Sequence, residues 1–185
     1  MKSITRYVLV LLLSTQIGIC KAQDLFTIKS GKVSFVSNAP LEVIKAENES
    51  FQFLIDTSKN EFAVSVPIKE FYGFNSSLQR EHFFENYMQT DAFPKATFTG
   101  KILDEIAYRE GAFDVMVRGQ LTIHGVKKER IIEARCFYES KEKLIVNATF
   151  VVPLEDHDIE IPRIVFQKIA EMITVNIHAE LIPKN

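Results

Sequence analysis

The chain of 185 residues has no tryptophan, only two cysteines and only seven glycines. Two cysteines exclude the disulfide framework that small secreted domains use in place of a large core. The glycine content excludes a collagen-like repeat. With 46% hydrophobic and 25% charged residues, the composition is that of an ordinary globular protein, and one domain is the simplest expectation.

Long apolar runs are also scarce. The run at residues 7–13 (YVLVLLL) is far below the roughly 20 residues that a helix needs to span a bilayer. Lys2 and Arg6 precede this run, and Cys20 and Ala22 put small residues at the two positions that a signal peptidase recognises. The pattern predicts a signal peptide over residues 1–22.

Cleavage near Ala22 would leave a periplasmic or secreted domain of residues 23–185 with no integral membrane span. An uncleaved anchor and a lipid-modified Cys20 are the alternatives. Cleavage would also remove three basic residues and no acidic one, so the domain is more acidic than the formal net charge of −2 for the whole chain.

Clusters of basic residues, which nucleic-acid binding requires, are almost missing. The only short basic run is Lys127, Lys128 and Arg130, and it is typical of a solvated hairpin turn. We therefore predict no nucleic-acid partner.

Cys136 has no partner for a disulfide if Cys20 leaves with the signal peptide. In a strand over residues 131–138 it would share a face with Ile132, Ala134 and Tyr138. No histidine can be assigned to it as a catalytic partner, so we predict a buried thiol rather than a nucleophile.

After Gln23 the apolar residues alternate with a period of two, which is typical of strands with one buried face. The clearest segments are residues 62–68, 96–102, 115–123 and 173–181. Further strand candidates cover residues 27–37, 41–46, 51–56, 130–139 and 144–153.

These nine candidates, of which one or two are expected to merge or to be irregular, predict an all-β fold. Both a sandwich and a closed barrel are compatible with the count. A barrel leaves no exposed edge, and about eight strands enclose just enough space for a small ligand.

Helical spacing replaces the alternation at residues 77–89 (SLQREHFFENYMQ), before Pro94. We predict a short helix that packs over one end of the barrel. A second short helical or looped piece is expected between residues 161 and 170, after Pro162. The chain shows no repeat or linker that would indicate a second domain.

Catalytic sequence motifs are missing, including a nucleophile elbow, a phosphate-binding loop and an H-E-x-x-H metal motif. The remaining candidates are His82 with Glu85 on the helix, and His157 between two aspartates. They leave open a metal-assisted hydrolase or isomerase. We predict that the protein is not an enzyme and has no metal or cofactor.

The chain is rich in phenylalanine, with 15 residues. Phe35, Phe53, Phe62 and Phe98 fall on apolar strand faces. Inward-facing residues alternate in the same way whether they fill a packed core or line a cavity. Alternation alone therefore leaves open whether the interior is packed or hollow.

Three segments resemble the hallmarks of YceI-like proteins. The first, HFFENYMQTDAFPKATFTGKI at residues 82–102, combines a helix end, an acidic-aromatic-proline segment and a K-A-T-F strand. The second, GQLTIHGVKK at residues 119–128, matches the G-x-L-T-I-H-G-V-x-K hairpin. The third, VPLEDHDIEIP at residues 152–162, resembles the loop before the last strand. The resemblance covers most of residues 31–181.

The resemblance implies an antiparallel, lipocalin-like β-barrel of about eight strands with one or two short helices. It further implies export to the periplasm and an elongated apolar cavity that binds a polyisoprenoid or a similar amphiphilic lipid, with no catalytic residues. Many members begin with D-x-x-H-S-x-V-x-F, but residues 28–35 here lack the Asp and His. Head-group contacts of those two residues therefore do not carry over.

If the chain has the barrel of this family, its apolar pattern predicts which residues line the cavity and which close it. Phe35, Phe62, Phe98, Val117 and Ile123 are expected to line the cavity or to pack beside it. Phe83, Phe84 and Tyr87 are expected to close one end, and Arg80, His82 and Asn86 are the candidates at the mouth for a polar head group. The alternative is a solid-core envelope protein that acts through its surface. The oligomeric state is open, with a homodimer as one arrangement.

Overall fold

The computed structural model describes residues 25–184, which form one antiparallel sheet with short helical segments. The predicted signal peptide lies outside the described residues. The strands are β1 (Leu25–Asn38), β2 (Val43–Asn48), β3 (Gln52–Asp56), β4 (Glu61–Pro67), β5 (Lys95–Ile102), β6 (Ala112–Ile123), β7 (Val126–Ser140), β8 (Lys143–Pro153) and β9 (Met172–Pro183). The α-helix α1 (Ser77–His82) runs into a π-helical turn (Phe83–Tyr87), and 3₁₀ turns lie at Ile68–Glu70, Glu155–His157 and Arg163–Val165.

The sheet closes into a barrel because β1 pairs with β9 along one edge. On its other edge β1 pairs with β2 and then with β3. Both pairings keep one register, since Asn38 lies opposite Val43 and Leu25 lies opposite Asp56. Thus β2 and β3 are two halves of one interrupted strand, and the barrel has eight strand positions. The predicted all-β barrel of about eight strands is confirmed.

Asn48 lies where this strand is interrupted, and it is fully buried. Its Nδ2 donates to the Pro67 carbonyl oxygen at 2.7 Å, and its Oδ1 accepts from the Ser50 N–H at 2.8 Å. The amide therefore pairs with one backbone group inside the break and one at the end of β4, and its own buried polar atoms are satisfied in this way.

The strands have one buried and one exposed face, as the alternation predicts. On β7, Ile132, Ala134, Cys136 and Tyr138 are buried, while the residues between them are exposed. Burial of a large apolar side chain such as Ile132 contributes about 1.5–3 kcal/mol, which favours this register over a slip by one residue. The Cys136 thiol is buried in the barrel interior, as predicted.

The helical segment differs in one respect from the single helix expected over residues 77–89. Ser76 caps α1 by accepting from the Gln79 N–H at 3.1 Å. After His82 the hydrogen bonding changes, and the Met88 N–H bonds to the Phe83 carbonyl five residues back, at 2.9 Å. The second expected piece is the 3₁₀ turn Arg163–Val165. None of the helices within residues 25–184 has the length and apolar character needed to cross a bilayer.

Candidate functional site

One end of the barrel contains a cavity of about 500 Å³. This volume falls in the range of small-molecule sites, which are typically apolar with a few polar groups. Its walls come mainly from the inward faces of strands that the alternation predicted. They are formed by Val33 and Phe35 of β1, Val64 and Val66 of β4, Leu121 and Ile123 of β6, Val152 of β8, and Val175 and Ile177 of β9, with Phe98 of β5 at the bottom.

The π-helical turn covers one side of this cavity. Phe83 stacks on Phe35 with ring centroids 5.2 Å apart and contacts Phe74 at 5.1 Å. Tyr87 and Met88 also line the cavity. A π-helical turn adds one residue to the turn, which re-aims the side chains that follow.

The loop between β8 and β9 also covers the cavity. Ile159, Val165 and Ile169 of this loop line the cavity. The loop is fixed at its end because the Ala170 N–H donates to the Ser37 hydroxyl at 2.8 Å, and Ser37 is itself buried.

Polar side chains that line the cavity and also reach solvent mark its mouth. Gln79 and Glu42 form a hydrogen bond of 2.9 Å from Nε2 to Oε1. His82 and Lys168 are exposed and line the cavity as well. The mouth thus presents one carboxylate, one amide, one imidazole and one ammonium group.

A separate void of about 40 Å³ lies deeper in the barrel. Val64, Phe98, Phe150 and Ile177 line both spaces and therefore form the layer between them. Beyond the small void, the Tyr138 hydroxyl donates to the Ile106 carbonyl at 2.7 Å, and the Tyr138 ring contacts Phe26. These groups fill the end of the barrel away from the mouth.

The residues predicted for the site divide into three groups. Five of the predicted apolar residues line the large cavity, namely Phe35, Phe83, Tyr87, Phe98 and Ile123. Phe62 and Val117 line only the small void, because they lie one layer deeper on their strands. Phe84 packs on Phe74 and Phe83 without lining either space.

The three mouth candidates also differ. His82 lines the cavity, whereas Arg80 and Asn86 are exposed and do not line it. A helix turns by about 100° per residue, so Gln79 and His82 share the cavity side while Arg80 points away. Gln79, Glu42 and Lys168 were missed, since their sequence positions carry no signal for a mouth. The lining residues Val64 and Val66 share the predicted face of Phe62, and alternation was sufficient to find them.

His157, one of the catalytic candidates, is fully buried. Its Nδ1 lies 3.1 Å from the Val126 carbonyl oxygen at the β6–β7 turn. Burial and the nearby Arg130 guanidinium lower the pKa of His157. Arg130 also pairs with Asp156, so this cluster joins the loop to the hairpin.

The other catalytic candidates, His82 and Glu85, have exposed side chains on the helical segment. Within residues 25–184, no group of three or more His, Cys, Asp or Glu side chains is arranged to hold a metal ion.

Comparison with known proteins gives a family and several structural neighbours. The model of the YceI-like domain matches residues 14–181. No curated protein matches the chain by sequence. Two solved structures with this fold are a polyisoprenoid binding domain from Saccharophagus degradans implicated in plant cell wall breakdown, and BcnA from Burkholderia cenocepacia.

The first of these has a TM-score of 0.74 and 12% identity, and the match covers 86% of this chain and 98% of that one. BcnA has a TM-score of 0.68 and 14% identity, covering 81% and 95%. A Campylobacter jejuni YceI protein has a TM-score of 0.60 and 17% identity, covering 76% and 85%. At these identities the neighbours establish the fold.

Proposed function

The chain belongs to the family of YceI-like domains, and we propose that it binds a polyisoprenoid or a similar amphiphilic lipid in the barrel cavity. The observation that carries this proposal is the apolar cavity of about 500 Å³ with a polar mouth. The Saccharophagus degradans neighbour, which is a polyisoprenoid binding domain, supports the ligand class.

Burial of a hydrocarbon chain supplies the binding energy in this proposal. Each CH₂ group moved from water into the cavity contributes about 0.8 kcal/mol, so ten groups give on the order of 8 kcal/mol before association costs are subtracted. Phe35, Phe83 and Phe98 would contact the chain, and burial of further CH₂ groups, rather than an ionic contact, would offset the association costs.

A polar head group would remain at the mouth. Lys168 and His82 offer donors to an anionic or hydroxyl head group, and Gln79 is held in place by Glu42. Arg80 and Asn86, which do not line the cavity, are left out of this assignment.

Export is part of the same proposal. A signal peptide over residues 1–22, cleaved near Ala22, would deliver the domain of residues 23–185 to the periplasm or the exterior. There a protein that shields an apolar chain from water would carry or sequester it.

Binding is favoured over the two alternative functions. A solid-core protein that acts only through its surface has no use for an apolar cavity of this size. A metal-assisted enzyme that used His82, Glu85 and His157 would need these side chains to meet at one site. His157 is buried at the β6–β7 turn, while His82 and Glu85 are exposed on the helical segment.

Native mass spectrometry of protein purified from an exporting host tests the proposal. We expect a co-purified apolar species in the wild type. Ala96→Phe places a ring in the cavity and should reduce the loaded fraction, while Ala63→Phe on the outer face of β4 should not. Circular dichroism checks that both variants fold. Wild-type protein that is always empty and takes up no long-chain lipid would contradict the proposal, as would full loading of Ala96→Phe.

A further inference from the structure

Two large apolar side chains are exposed at the tip of the loop between β8 and β9. Ile164 is 91% exposed and Phe166 is 63% exposed. Isolated exposed apolar residues are common on protein surfaces. These two are notable for their position next to the cavity.

Three segments bring apolar side chains together around the mouth. Val165, between the two exposed residues, lines the cavity. The Leu41 N–H donates to the Gln167 carbonyl at 2.9 Å, so exposed Leu41 lies beside the loop tip. Leu78 of α1 is exposed and also lines the cavity. We call Leu41, Leu78, Ile164 and Phe166 the mouth rim.

Positive charge accompanies the exposed side chains of the loop. Residues 162–170 contain Arg163 and Lys168 and no acidic residue, with Glu160 and Glu171 just outside this stretch. Both cations are exposed, and within residues 25–184 neither has an ion pair. The loop tip therefore presents apolar groups flanked by free cations.

We propose that the mouth rim docks on an anionic lipid bilayer, with Ile164 and Phe166 inserted at the boundary of head groups and acyl chains. Arg163 and Lys168 would then meet lipid phosphates. This inference rests on the proposed function, because docking at the mouth lets a lipid pass from the bilayer into the cavity without crossing water.

A bilayer fits the rim better than a second copy of the chain. A twofold dimer brings the same patch of both subunits together. It would place Arg163 and Lys168 of each copy near their counterparts, and the carboxylate at the mouth, Glu42, is already hydrogen-bonded to Gln79. An anionic surface accommodates both the apolar groups and the cations.

Vesicle flotation tests the proposal, with vesicles of phosphatidylethanolamine and phosphatidylglycerol against vesicles of phosphatidylcholine alone. We expect the wild type to bind the anionic vesicles more tightly. Ile164→Ser with Phe166→Ser should weaken this binding by at least about tenfold. The matched control is Ile131→Ser with Phe137→Ser, which removes an isoleucine and a phenylalanine, 52% and 39% exposed, from the outer wall of β7 and should leave binding unchanged.

The charges are tested in Arg163→Gln with Lys168→Gln. This variant should lose the preference for anionic vesicles, and high salt should reduce wild-type binding in the same way. Wild type that binds no anionic vesicles would overturn the proposal. Unchanged binding of the Ile164→Ser, Phe166→Ser variant would overturn it as well. A wild type that binds no vesicles but forms a dimer, which the Ile164→Ser, Phe166→Ser variant dissociates, would also overturn it.

Uptake of a long-chain isoprenoid alcohol from detergent solution, with no vesicles, separates this proposal from the proposed function. Uptake from detergent without vesicle binding would reject docking at the rim and leave the cavity assignment standing. Vesicle binding that depends on Ile164 and Phe166, without uptake from detergent, would support docking and reject the cavity assignment.

Discussion

Phe62 and Phe98 meet edge to face inside the barrel, with ring centroids 4.8 Å apart. They lie on the inner faces of neighbouring strands, where β4 pairs with β5. Phe98 borders both the large cavity and the small void, while Phe62 borders the small void alone. Phe98 therefore belongs to the layer that limits how deep an occupant of the large cavity can reach, and Phe62 packs against its ring from below.

Gly119 makes room for the Phe98 ring. A Cβ atom at position 119 would lie 3.0 Å from Cε2 of Phe98 and 2.4 Å from the Thr99 carbonyl oxygen. Both distances are shorter than ordinary contacts, so a side chain at this position would displace the ring or the strand. The absence of a side chain at Gly119 thus lets the Phe98 ring occupy its position at the bottom of the cavity.

Phe98→Ala should join the two spaces and deepen the cavity. We expect the bound species to shift to longer chains, as measured by mass spectrometry of extracted ligand. The empty protein should also lose about 3–5 kcal/mol of unfolding free energy, which is the usual effect of deleting a buried phenylalanine ring.

Phe26→Ala is the control for this change. Phe26 is equally buried but contacts Tyr138 at the end away from the mouth. It should destabilise the protein to a similar extent without altering ligand length. An unchanged ligand profile in Phe98→Ala would show that the Phe62 and Phe98 pair does not limit chain length.

Asn48→Ala should lower the free energy of unfolding by about 1–3 kcal/mol, because it removes the two hydrogen bonds that the buried Asn48 amide makes with the Pro67 carbonyl and the Ser50 N–H. Urea denaturation measures the change. Asn38→Ala, at an exposed position at the end of β1, serves as the control and should have little effect. Equal stability of the two variants would mean that the strand interruption does not depend on this amide.

His157 predicts a dependence of stability on pH. Burial, with a smaller contribution from Arg130, lowers its pKa in the folded state from the usual 6.5, although the Val126 and Ile123 carbonyls and Asp156 act in the opposite direction. Between the two pKa values the unfolded chain binds a proton that the folded chain does not. The free energy of unfolding should therefore fall as pH drops below about 6.5, by at most about 1.4 kcal/mol per pH unit, and level off below the folded pKa.

Urea denaturation from pH 8 to pH 5 measures this dependence as the difference between wild type and His157→Gln. His178→Gln, which replaces an exposed histidine, should retain the wild-type pH profile. Identical pH profiles for wild type and His157→Gln would contradict the prediction that His157 causes this loss of stability at low pH.

Cys136 should be inert in the folded protein. Burial raises the pKa of its thiol to about 12, and the side chain is 1% exposed. In a Cys20→Ser background, alkylation by iodoacetamide at pH 8 should be more than about a thousandfold slower in native protein than in guanidinium chloride. Rapid labelling of the native protein would indicate that the barrel opens at β7.

The sequence alone determined the strands, because a strand with one buried face must alternate apolar and polar residues at every second position. It also determined the inward set on β7 and the family, whose motifs at residues 82–102 and 119–128 are local patterns. It did not show which two strand candidates would merge, because the buried residues are even-numbered on β2 (Ala46 and Asn48) and odd-numbered on β3 (Phe53 and Ile55), so the alternation changes phase across the break.

Tertiary structure alone decided what the interior encloses. Phe62 and Phe98 have the same alternation signal, yet one lies below the cavity and the other at its floor, because depth depends on register and ring orientation across neighbouring strands. The mouth likewise joins Glu42, Gln79 and Lys168, which are far apart in sequence. Periodicity reports which side of an element faces inward, but only the packing of all the elements fixes which inward side chains touch one another and which leave a space between them.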